Sequence, residues 1–481
     1  DIKNTEKNSN STIDAGFEAH VTVDSRFTSS PSAIKYLAIF VGMIATAISL
    51  YCLYRIDILD KRSTSRRLFH RNWWKPRPLD GVVGFILLAW YFVGANTSDD
   101  GYLLTMAKVA GESGYMANYY RWFGVPESPF GSPFYDLLAL MTHVSSASIW
   151  MRLPSLIAGI VTWLILSREV MPRLGAKINQ RRVAHWTMAA TFLLFWMTFN
   201  NGTRPEPIIA VLSLLAWVSF ERAIATHRLL PAAVGTIIAT LALGAGPTGL
   251  MAVSALLASL GALIRILTRR LPLLGAPKGA PKKTVIGAIM AQIAPFLAAG
   301  TAILTAVFAD QTLRTVTEAI KLRGAIGPSM HWYDEFRRYE ALMEQTVDGS
   351  FPRRFTMVML FFCIGIVVAA ILRNGRITGA AKGPSTRLLL VTVGTLFFMT
   401  FTPTKWTHHF GVFAGIGAAL TALAAVAASR FALETRRNQI LFLGSTLMLF
   451  AFTLAGPNGW WYLSSYGAVS YTHLTLPTSE P

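Results

Sequence analysis

Two adjacent carboxylates, Asp99 and Asp100, are the first residues of the chain whose type and setting could do chemistry. A carboxylate in apolar surroundings has a raised pKa and can act as a general base toward an acceptor hydroxyl, while its neighbour orients the substrate. The pair also fits an ordinary helix start, because a serine precedes it as a good N-cap and acidic first-turn residues favour the helix dipole. Both interpretations stay open from these residues alone.

Two cations, Arg204 and Lys405, follow at the edges of apolar segments. Such cations can stabilise the charge that develops on a leaving phosphate. They can equally extend toward lipid headgroups. Glu206 lies two residues after Arg204 and could hold its guanidinium in place, which an arginine that only reaches for headgroups would not need.

His408 and His409 could be interface residues, proton carriers or metal ligands. A histidine pair with no further His or Cys at ligand spacing gives poor support for a tight metal site, so we predict no metal ligand and no required cofactor, and a divalent cation stays open. Trp406 is either part of an aromatic belt or a stacking surface for a sugar ring. Acidic base, phosphate-binding cations and aromatic walls together favour a glycosyltransferase that uses a lipid-phosphate donor over a transporter.

The elements that position these residues are membrane helices. Of 481 residues, 53% are hydrophobic and 14% charged, and the mean hydropathy is +0.44. Soluble domains have about 25% charged residues, which excludes an ordinary soluble enzyme. The apolar blocks predict about twelve transmembrane helices. They lie at 33–54, 80–95, 153–168, 184–200, 206–222, 229–245, 248–266, 284–307, 355–372, 388–402, 409–429 and 439–455.

The charges predict the sidedness of these helices. One set of connecting segments, counted with Asp80, holds 28 of the 44 Lys and Arg but 6 of the 25 Asp and Glu, which identifies that side as cytoplasmic. The apolar stretch 134–151 must then be a juxtamembrane or re-entrant helix within a long extracytoplasmic segment, 96–152. The polar motifs all fall on the extracytoplasmic face. Basic residues confined to membrane edges also exclude nucleic-acid binding. The cytoplasmic segments are 55–78, 168–183, 221–228, 265–283, 373–387 and 430–437.

Five motifs resemble those of the Emb family, the mycobacterial and corynebacterial arabinofuranosyltransferases that ethambutol targets. The resemblance extends from about residue 24 to 467 and is closest to the C or B subtype. The motifs are NTSDDGY at 96–102, GYMANYYRWFG at 114–124, NNGTRPEP at 200–207, FTPTKWTHHF at 401–410 and NGWWY at 458–462.

The resemblance implies an all-α polytopic protein of the GT-C glycosyltransferase fold, in the cell (inner) membrane, with its active site on the extracytoplasmic face. The donor would be decaprenyl-phosphoryl-arabinofuranose, and the acceptor a growing arabinan of arabinogalactan or lipoarabinomannan. Asp99 would be the general base of an inverting transfer. The lipid phosphate would then leave near Arg204, Lys405 and His408 or His409.

Other site residues follow from the same resemblance. Asp100, Tyr102, Met106 and Glu127 match positions that line the ethambutol and acceptor pocket. The family also implies a dimer, contact with membrane lipids and, for some members, an acyl carrier protein on the cytoplasmic side.

The chain departs from the family pattern in places. Ser128 and the run 130–135 differ from the usual residues, so the acceptor pocket is expected to differ. We expect a central fragment, in which 1–32 ends an extracytoplasmic soluble domain, 33–468 is the catalytic core and 469–481 is a non-native tail. The alternatives are a polytopic transporter and an inactive truncated scaffold.

Overall fold

The computed structural model describes residues 32–456, apart from 66, 68, 70–72, 95–96, 98, 114–116, 119–124, 127–129, 132 and 310. Each of the twelve predicted spans is covered by at least one helix, and two short antiparallel strands, Ala117–Asn118 and Val125–Pro126, lie in the segment after the second span. Residues 1–31 and 457–481 lie outside the described part, and with them all but one residue of the predicted domain end at 1–32 and the whole predicted tail at 469–481. The helices are α1 (Ala33–Leu59), α2 (Pro78–Val93), α3 (Asp100–Ser113), α4 (Phe134–Thr142), α5 (Ser148–Met151), α6 (Leu153–Ile165), α7 (Met171–Leu174), α8 (Ala176–Asn179), α9 (Arg182–Phe199), α10 (Glu206–Thr226), α11 (Leu230–Ala245), α12 (Leu250–Arg269), α13 (Lys282–Gly300), α14 (Ala302–Phe308), α15 (Leu313–Ile326), α16 (Phe336–Glu340), α17 (Phe351–Asn374), α18 (Lys382–Met399), α19 (Phe413–Glu434) and α20 (Arg436–Leu454).

Seven helical segments in the described part of the chain are long and apolar enough to cross a membrane, and α2 and α11 are shorter apolar helices. Twelve crossings therefore remain a prediction. The excluded stretch 134–151 breaks into α4, of nine residues, and the short α5. At a rise of about 1.5 Å per residue, α4 is too short to span the hydrocarbon core.

Helix α19 forms the centre of the bundle. In its most apolar region 94% of the residues are buried, and it packs against α9, α10, α17, α18 and α20. Small residues make this close packing possible. A Cβ at Gly417, for example, would lie 3.4 Å from the Phe195 ring and 3.4 Å from Leu360 Cδ1. The rigid position of α19 fixes the turn that precedes it, Thr407–Val412, which carries the histidine pair.

Polar contacts join the segments at one end of the bundle. Asn200 Nδ2, in the connection between α9 and α10, donates to the Gly411 carbonyl at 2.9 Å. The fully buried Arg152 donates from Nη1 to the Gly94 carbonyl at the end of α2, at 2.7 Å. The start of α3, the 200–205 loop and the 400–409 segment are thereby held at the same end of the bundle.

Ion pairs fasten the opposite ends of the helices. Arg270, after α12, is buried and donates to Asp57 Oδ1 at 2.7 Å and Asp60 Oδ2 at 2.8 Å at the end of α1. Arg387 of α18 pairs through Nε with Glu221 Oε1 of α10 at 2.5 Å. These buried carboxylates neutralise part of the basic charge at the predicted cytoplasmic face.

Candidate active site

A cleft of about 80 Å³ lies at the end of the bundle where the start of α3, the 200–205 loop and the 400–409 segment meet. It brings together seven of the eleven predicted site residues, from four separate elements. It also contains Arg323 of α15, which sequence reasoning missed. The lining residues include Asp99, Tyr102, Arg204, Glu206, Trp406, His408 and His409, together with Phe130, Tyr135, Pro247 and Arg323.

Arg204 joins the two carboxylates of the cleft. Its Nε donates to Glu206 Oε2 and its Nη2 to Glu206 Oε1, both at 3.0 Å, while Nη1 forms an ion pair with Asp99 Oδ2. Burial opposes the positive charge of Arg204, but Asp99 and Glu206 outweigh this effect and raise its pKa. The predicted role of Glu206 in holding the guanidinium agrees with this bidentate geometry.

Asp99 presents one oxygen to the cleft. Both side-chain contacts that described residues make to its carboxylate, with Arg204 and at 4.0 Å with His408 Nε2, involve Oδ2. No side chain in that part of the chain contacts Oδ1, which leaves this oxygen available to a bound substrate. A carboxylate with one oxygen outside these contacts, at the edge of a cleft, is placed to accept a proton.

Asp100 binds the backbone instead of lining the cleft. Its carboxylate accepts from the Thr203 amide at 2.9 Å, from Thr203 Oγ1 at 3.0 Å and from the Thr97 amide at 3.1 Å. Burial raises the pKa of Asp100, against the effect of these donors. Gly202 is required beside it, because a Cβ there would lie 2.6 Å from Asp100 Oδ1. Asp100 thus fastens the start of α3 to the 200–205 loop.

The two histidines lie beside the carboxylates of the cleft. Their ring centroids are 4.6 Å apart, with an interplanar angle of 83°. His409 Nε2 lies 4.0 Å from Glu206 Oε1. On its other side, Arg338 Nη1 contacts His409 Nδ1 at 2.7 Å. Because a guanidinium can only donate, Nδ1 must be the acceptor, which leaves the imidazole proton on Nε2, toward Glu206.

Arg338 is the second residue that sequence reasoning missed. It is fully buried and pairs with Glu335, with Nε 2.7 Å from Oε1. Its nitrogens also donate to the Trp406 carbonyl at 2.6 Å and to Thr402 Oγ1 at 2.7 Å. The only signal in the sequence is a Glu and an Arg three residues apart, which is also common on solvated helix faces.

Lys405 points away from the cleft. Its Nζ donates to the carbonyls of Thr400 at 2.6 Å and Thr402 at 3.0 Å, and lies 3.4 Å from Glu335 Oε2. Burial lowers its pKa. The structure therefore places Lys405 in the scaffold of the 400–409 segment and does not bring it to the phosphate position expected from the sequence.

Met106, a further predicted site residue, does not line the cleft. Met106 is buried between α3 and α4, where it packs with Leu103, Phe134 and Tyr135. Glu127 lies outside the described residues. Trp332, whose ring could also stack on a sugar, is exposed and does not line the cleft.

Glu206, His408 and His409 offer ligand atoms within 4.8 Å of one another, which is a spacing that could hold a metal ion. Their partners do not fit a cation. Both Glu206 oxygens accept from Arg204, and His409 Nδ1 accepts from Arg338. A divalent ion here would displace these bonds and face two guanidinium groups, so the arrangement favours an anion.

Comparison with known proteins places the chain in a family. Residues 30–476 match the family described as mycobacterial cell wall arabinan synthesis protein. The chain is 50% identical over 453 residues to probable arabinosyltransferase B of Mycobacterium avium, and 48% identical over 458 residues to probable arabinosyltransferase C of Mycolicibacterium smegmatis. Each match covers 94% of this chain and 41% of the relative, so the chain spans about two fifths of the length of these relatives.

A solved structure, the cryo-EM structure of arabinosyltransferase EmbB from Mycobacterium smegmatis, matches with a TM-score of 0.78 and 45% identity, over 91% of this chain and 38% of that one. This likeness and the apolar helices confirm the predicted all-helical membrane fold and are consistent with the GT-C architecture. Since B and C relatives match at similar identity, the subtype stays unresolved, as the sequence motifs indicated. The chain belongs to the family of mycobacterial cell wall arabinan synthesis proteins, the Emb arabinosyltransferases.

Proposed function

We propose that the cleft transfers arabinofuranose from decaprenyl-phosphoryl-arabinofuranose to a growing arabinan. The observation that carries this proposal is the ion pair of Asp99 with Arg204 at the cleft wall, with His408 Nε2 4.0 Å from Asp99 and His409 Nε2 4.0 Å from Glu206. A base and a cluster of phosphate-binding donors then lie on adjacent walls of one cleft. Such a cleft suits the displacement of a lipid phosphate by a sugar hydroxyl.

In the proposed step Asp99 Oδ1 takes the proton of the acceptor hydroxyl, whose oxygen forms a bond to the anomeric carbon of the donor. The bond from that carbon to the phosphate oxygen breaks, and the phosphate leaves with the electron pair. One displacement of this kind inverts the anomeric configuration, through an oxocarbenium-like transition state. Arg204 holds Asp99 in one orientation, because its guanidinium also binds both oxygens of Glu206.

Arg204, His408 and Arg323 provide the donors for the leaving phosphate, since all three line the cleft beside Asp99. Guanidinium donors placed where charge develops stabilise the transition state more than the ground state. Lys405 does not contact the phosphate in this proposal. Its ammonium holds the 400–409 segment in place through the Thr400 carbonyl and Glu335.

Trp406 and Tyr102 form the acceptor wall. Trp406 is 43% exposed although its own backbone carbonyl is held by Arg338, so a fixed indole face is available for a sugar ring. The same pocket is the proposed binding place of ethambutol. A dimer, an acyl carrier protein at the cytoplasmic face and an extracytoplasmic active site belong to the same proposal.

The test is transfer of radiolabelled decaprenyl-phosphoryl-arabinofuranose to a synthetic arabinan by membranes that contain the chain. Asp99→Asn, which keeps the shape of the side chain, should bind the donor lipid but lower the transfer rate by at least about a hundredfold, because general base catalysis is lost. Glu344→Gln is the matched control, since Glu344 is an exposed acidic residue on the same face and does not line the cleft. An Asp99→Asn variant with the wild-type rate would refute the assignment of the base. If the wild-type chain neither binds the donor nor transfers its label, the function proposed for the cleft is wrong.

A further inference from the structure

A second groove opens at the other end of the bundle, between the last turns of α17 and α19 and the first turns of α20. Its volume is about 320 Å³. Helix α17 begins beside Asp348 and Thr407 near the cleft and ends at this groove, about 36 Å away at 1.5 Å per residue. The groove therefore lies at the opposite membrane face, which the distribution of basic residues identifies as cytoplasmic.

The inner part of the groove is apolar. Phe362 of α17 and Phe442 of α20 form one end, with ring centroids 6.3 Å apart. The remaining inner wall is mostly aliphatic, with the Ser445 hydroxyl as a polar group, and its aliphatic residues are Ile366, Ala369, Ala370, Val426, Ala427 and Leu441. A surface of this kind suits a hydrocarbon chain.

The mouth of the groove is basic. Three arginines, Arg373, Arg376 and Arg430, line it against a single carboxylate, Glu434. Arg373 pairs with Glu434, with Nη1 3.2 Å from Oε2, and lies over the Phe431 ring. Among the residues that the structure describes, neither Arg376 nor Arg430 has an ion-pair or hydrogen-bond partner, although other arginines at this face, such as Arg270 and Arg387, are paired with carboxylates.

We propose that this groove binds an anionic phospholipid of the cytoplasmic leaflet, with an acyl chain against Phe362 and Phe442 and its phosphate between Arg376 and Arg430. Basic pockets between membrane helices at the cytoplasmic side recognise such headgroups, and guanidinium groups form charge-assisted bonds to phosphate. The two uncommitted arginines select for net negative charge, which a zwitterionic lipid lacks. This site is independent of the transfer reaction proposed for the cleft.

Native mass spectrometry of the purified chain, titrated with phosphatidylglycerol and separately with phosphatidylcholine, tests the proposal. The wild-type chain should retain phosphatidylglycerol in preference to phosphatidylcholine. The double variant Arg376→Gln/Arg430→Gln should bind phosphatidylglycerol roughly thirtyfold more weakly, because each of the two lost cations strengthens the binding of an anionic lipid by about five- to sixfold. Arg181→Gln/Arg182→Gln is the matched control, since both are exposed arginines at the same face, outside the groove.

A second variant separates the groove from general surface charge. Ala369→Trp fills the apolar part and leaves all three arginines in place, so it should also weaken phosphatidylglycerol binding. Full binding by Ala369→Trp, or equal losses in the two arginine pairs, would overturn the proposal in favour of nonspecific attraction. Equal binding of the two lipids, or no phosphatidylglycerol on the wild-type chain, would also overturn it and point to a protein segment as the occupant.

Discussion

Adjacent carboxylates take different roles in this site because of helix geometry. Successive residues of a helix point about 100° apart, so at the start of α3 Asp99 faces the cleft while Asp100 faces the 200–205 loop. Asp99 meets a cation and an open space. Asp100 meets two hydroxyls and two amides, which hold the loop that carries Arg204. One carboxylate can thus be used for proton transfer while the other keeps the cleft in shape.

Arg204→Lys tests whether the fork of the guanidinium matters. A lysine keeps the charge but cannot bond Asp99 and both Glu206 oxygens at once. We expect kcat for arabinosyl transfer to fall by about a hundredfold, because the loss of one hydrogen-bond donor to the transition state typically lowers kcat by that factor. The change in KM for the donor should be smaller. The kinetics of Arg314→Lys, at an exposed position of α15, serve as the control. A kcat within about twofold of wild type would argue against the proposed role of Arg204.

Arg338→Lys tests the positioning of His409. The variant loses several of the bonds to the 399–409 segment and the donor to Nδ1, so the free energy of unfolding should fall by about 2 kcal/mol. In addition, the imidazole should no longer be restricted to the Nε2–H tautomer, which solid-state NMR of the ring nitrogens can report. The neighbouring Arg337→Lys is the control, because Arg337 is mostly exposed and lies 3.6 Å from Asp334. An unchanged tautomer in Arg338→Lys would mean that the arginine has only a structural role.

At this scale the sequence predicts residue type better than residue orientation. Its motifs identified Asp99, Arg204 and the histidine pair, all of which line the cleft. They did not separate Lys405 from this group, because its side-chain direction is set by the carbonyls of Thr400 and Thr402 together with Glu335, about 70 positions earlier in the chain. Arg338 was missed for a similar reason, since its partners in the 399–409 segment lie 61 to 71 residues away.

The elements divide into helices that hydropathy predicts and connections that it does not. All twelve predicted apolar segments coincide with helices, because a long apolar run in a membrane must satisfy its backbone internally. The helix ends were less well predicted: the third span continues to Leu174 through an irregular turn at Leu166–Val170. Helices α15 and α16 were not predicted, since their mixed polar pattern carries no hydropathy signal, yet they bring Arg323 and Arg338 to the site.

Gly202→Ala tests the contact between two elements, the start of α3 and the 200–205 loop. The added Cβ would lie 2.6 Å from Asp100 Oδ1, so one element must shift, at about 1–3 kcal/mol of destabilisation. Thermal unfolding should therefore occur at a lower temperature, and transfer should weaken as Arg204 moves with the loop. Gly324→Ala in α15 is the matched control, because a Cβ there meets nothing within 4 Å, and its helix should be slightly stabilised. Equal stability of the two variants would show that the loop accommodates the methyl group.

For the whole molecule, the basic residues predict its orientation in the membrane, and the surroundings of each carboxylate decide whether it can react with a substrate. Buried carboxylates such as Asp57 and Glu221 lie at the ends of helices opposite the cleft, where both oxygens of each accept hydrogen bonds. Asp99 differs because its contacts with described side chains involve Oδ2 alone and it lines the cleft. A lipid-linked donor can reach such a site from the outer leaflet only if the cleft faces outward, so the proposed function depends on the sidedness that the basic residues predict.

Cysteine labelling in intact cells can test this sidedness. In a variant whose native Cys52 and Cys363 are replaced by alanine, a cysteine is placed at Glu344, at the cleft end, or at Arg182, at the other end of α9. Both positions are exposed, so they differ in the membrane face and not in accessibility. A membrane-impermeant maleimide should label Glu344→Cys in intact cells and Arg182→Cys only after lysis, because the basic ends remain in the cytoplasm. The reverse pattern would place the cleft inside the cell, where a donor presented in the outer leaflet could not reach Asp99.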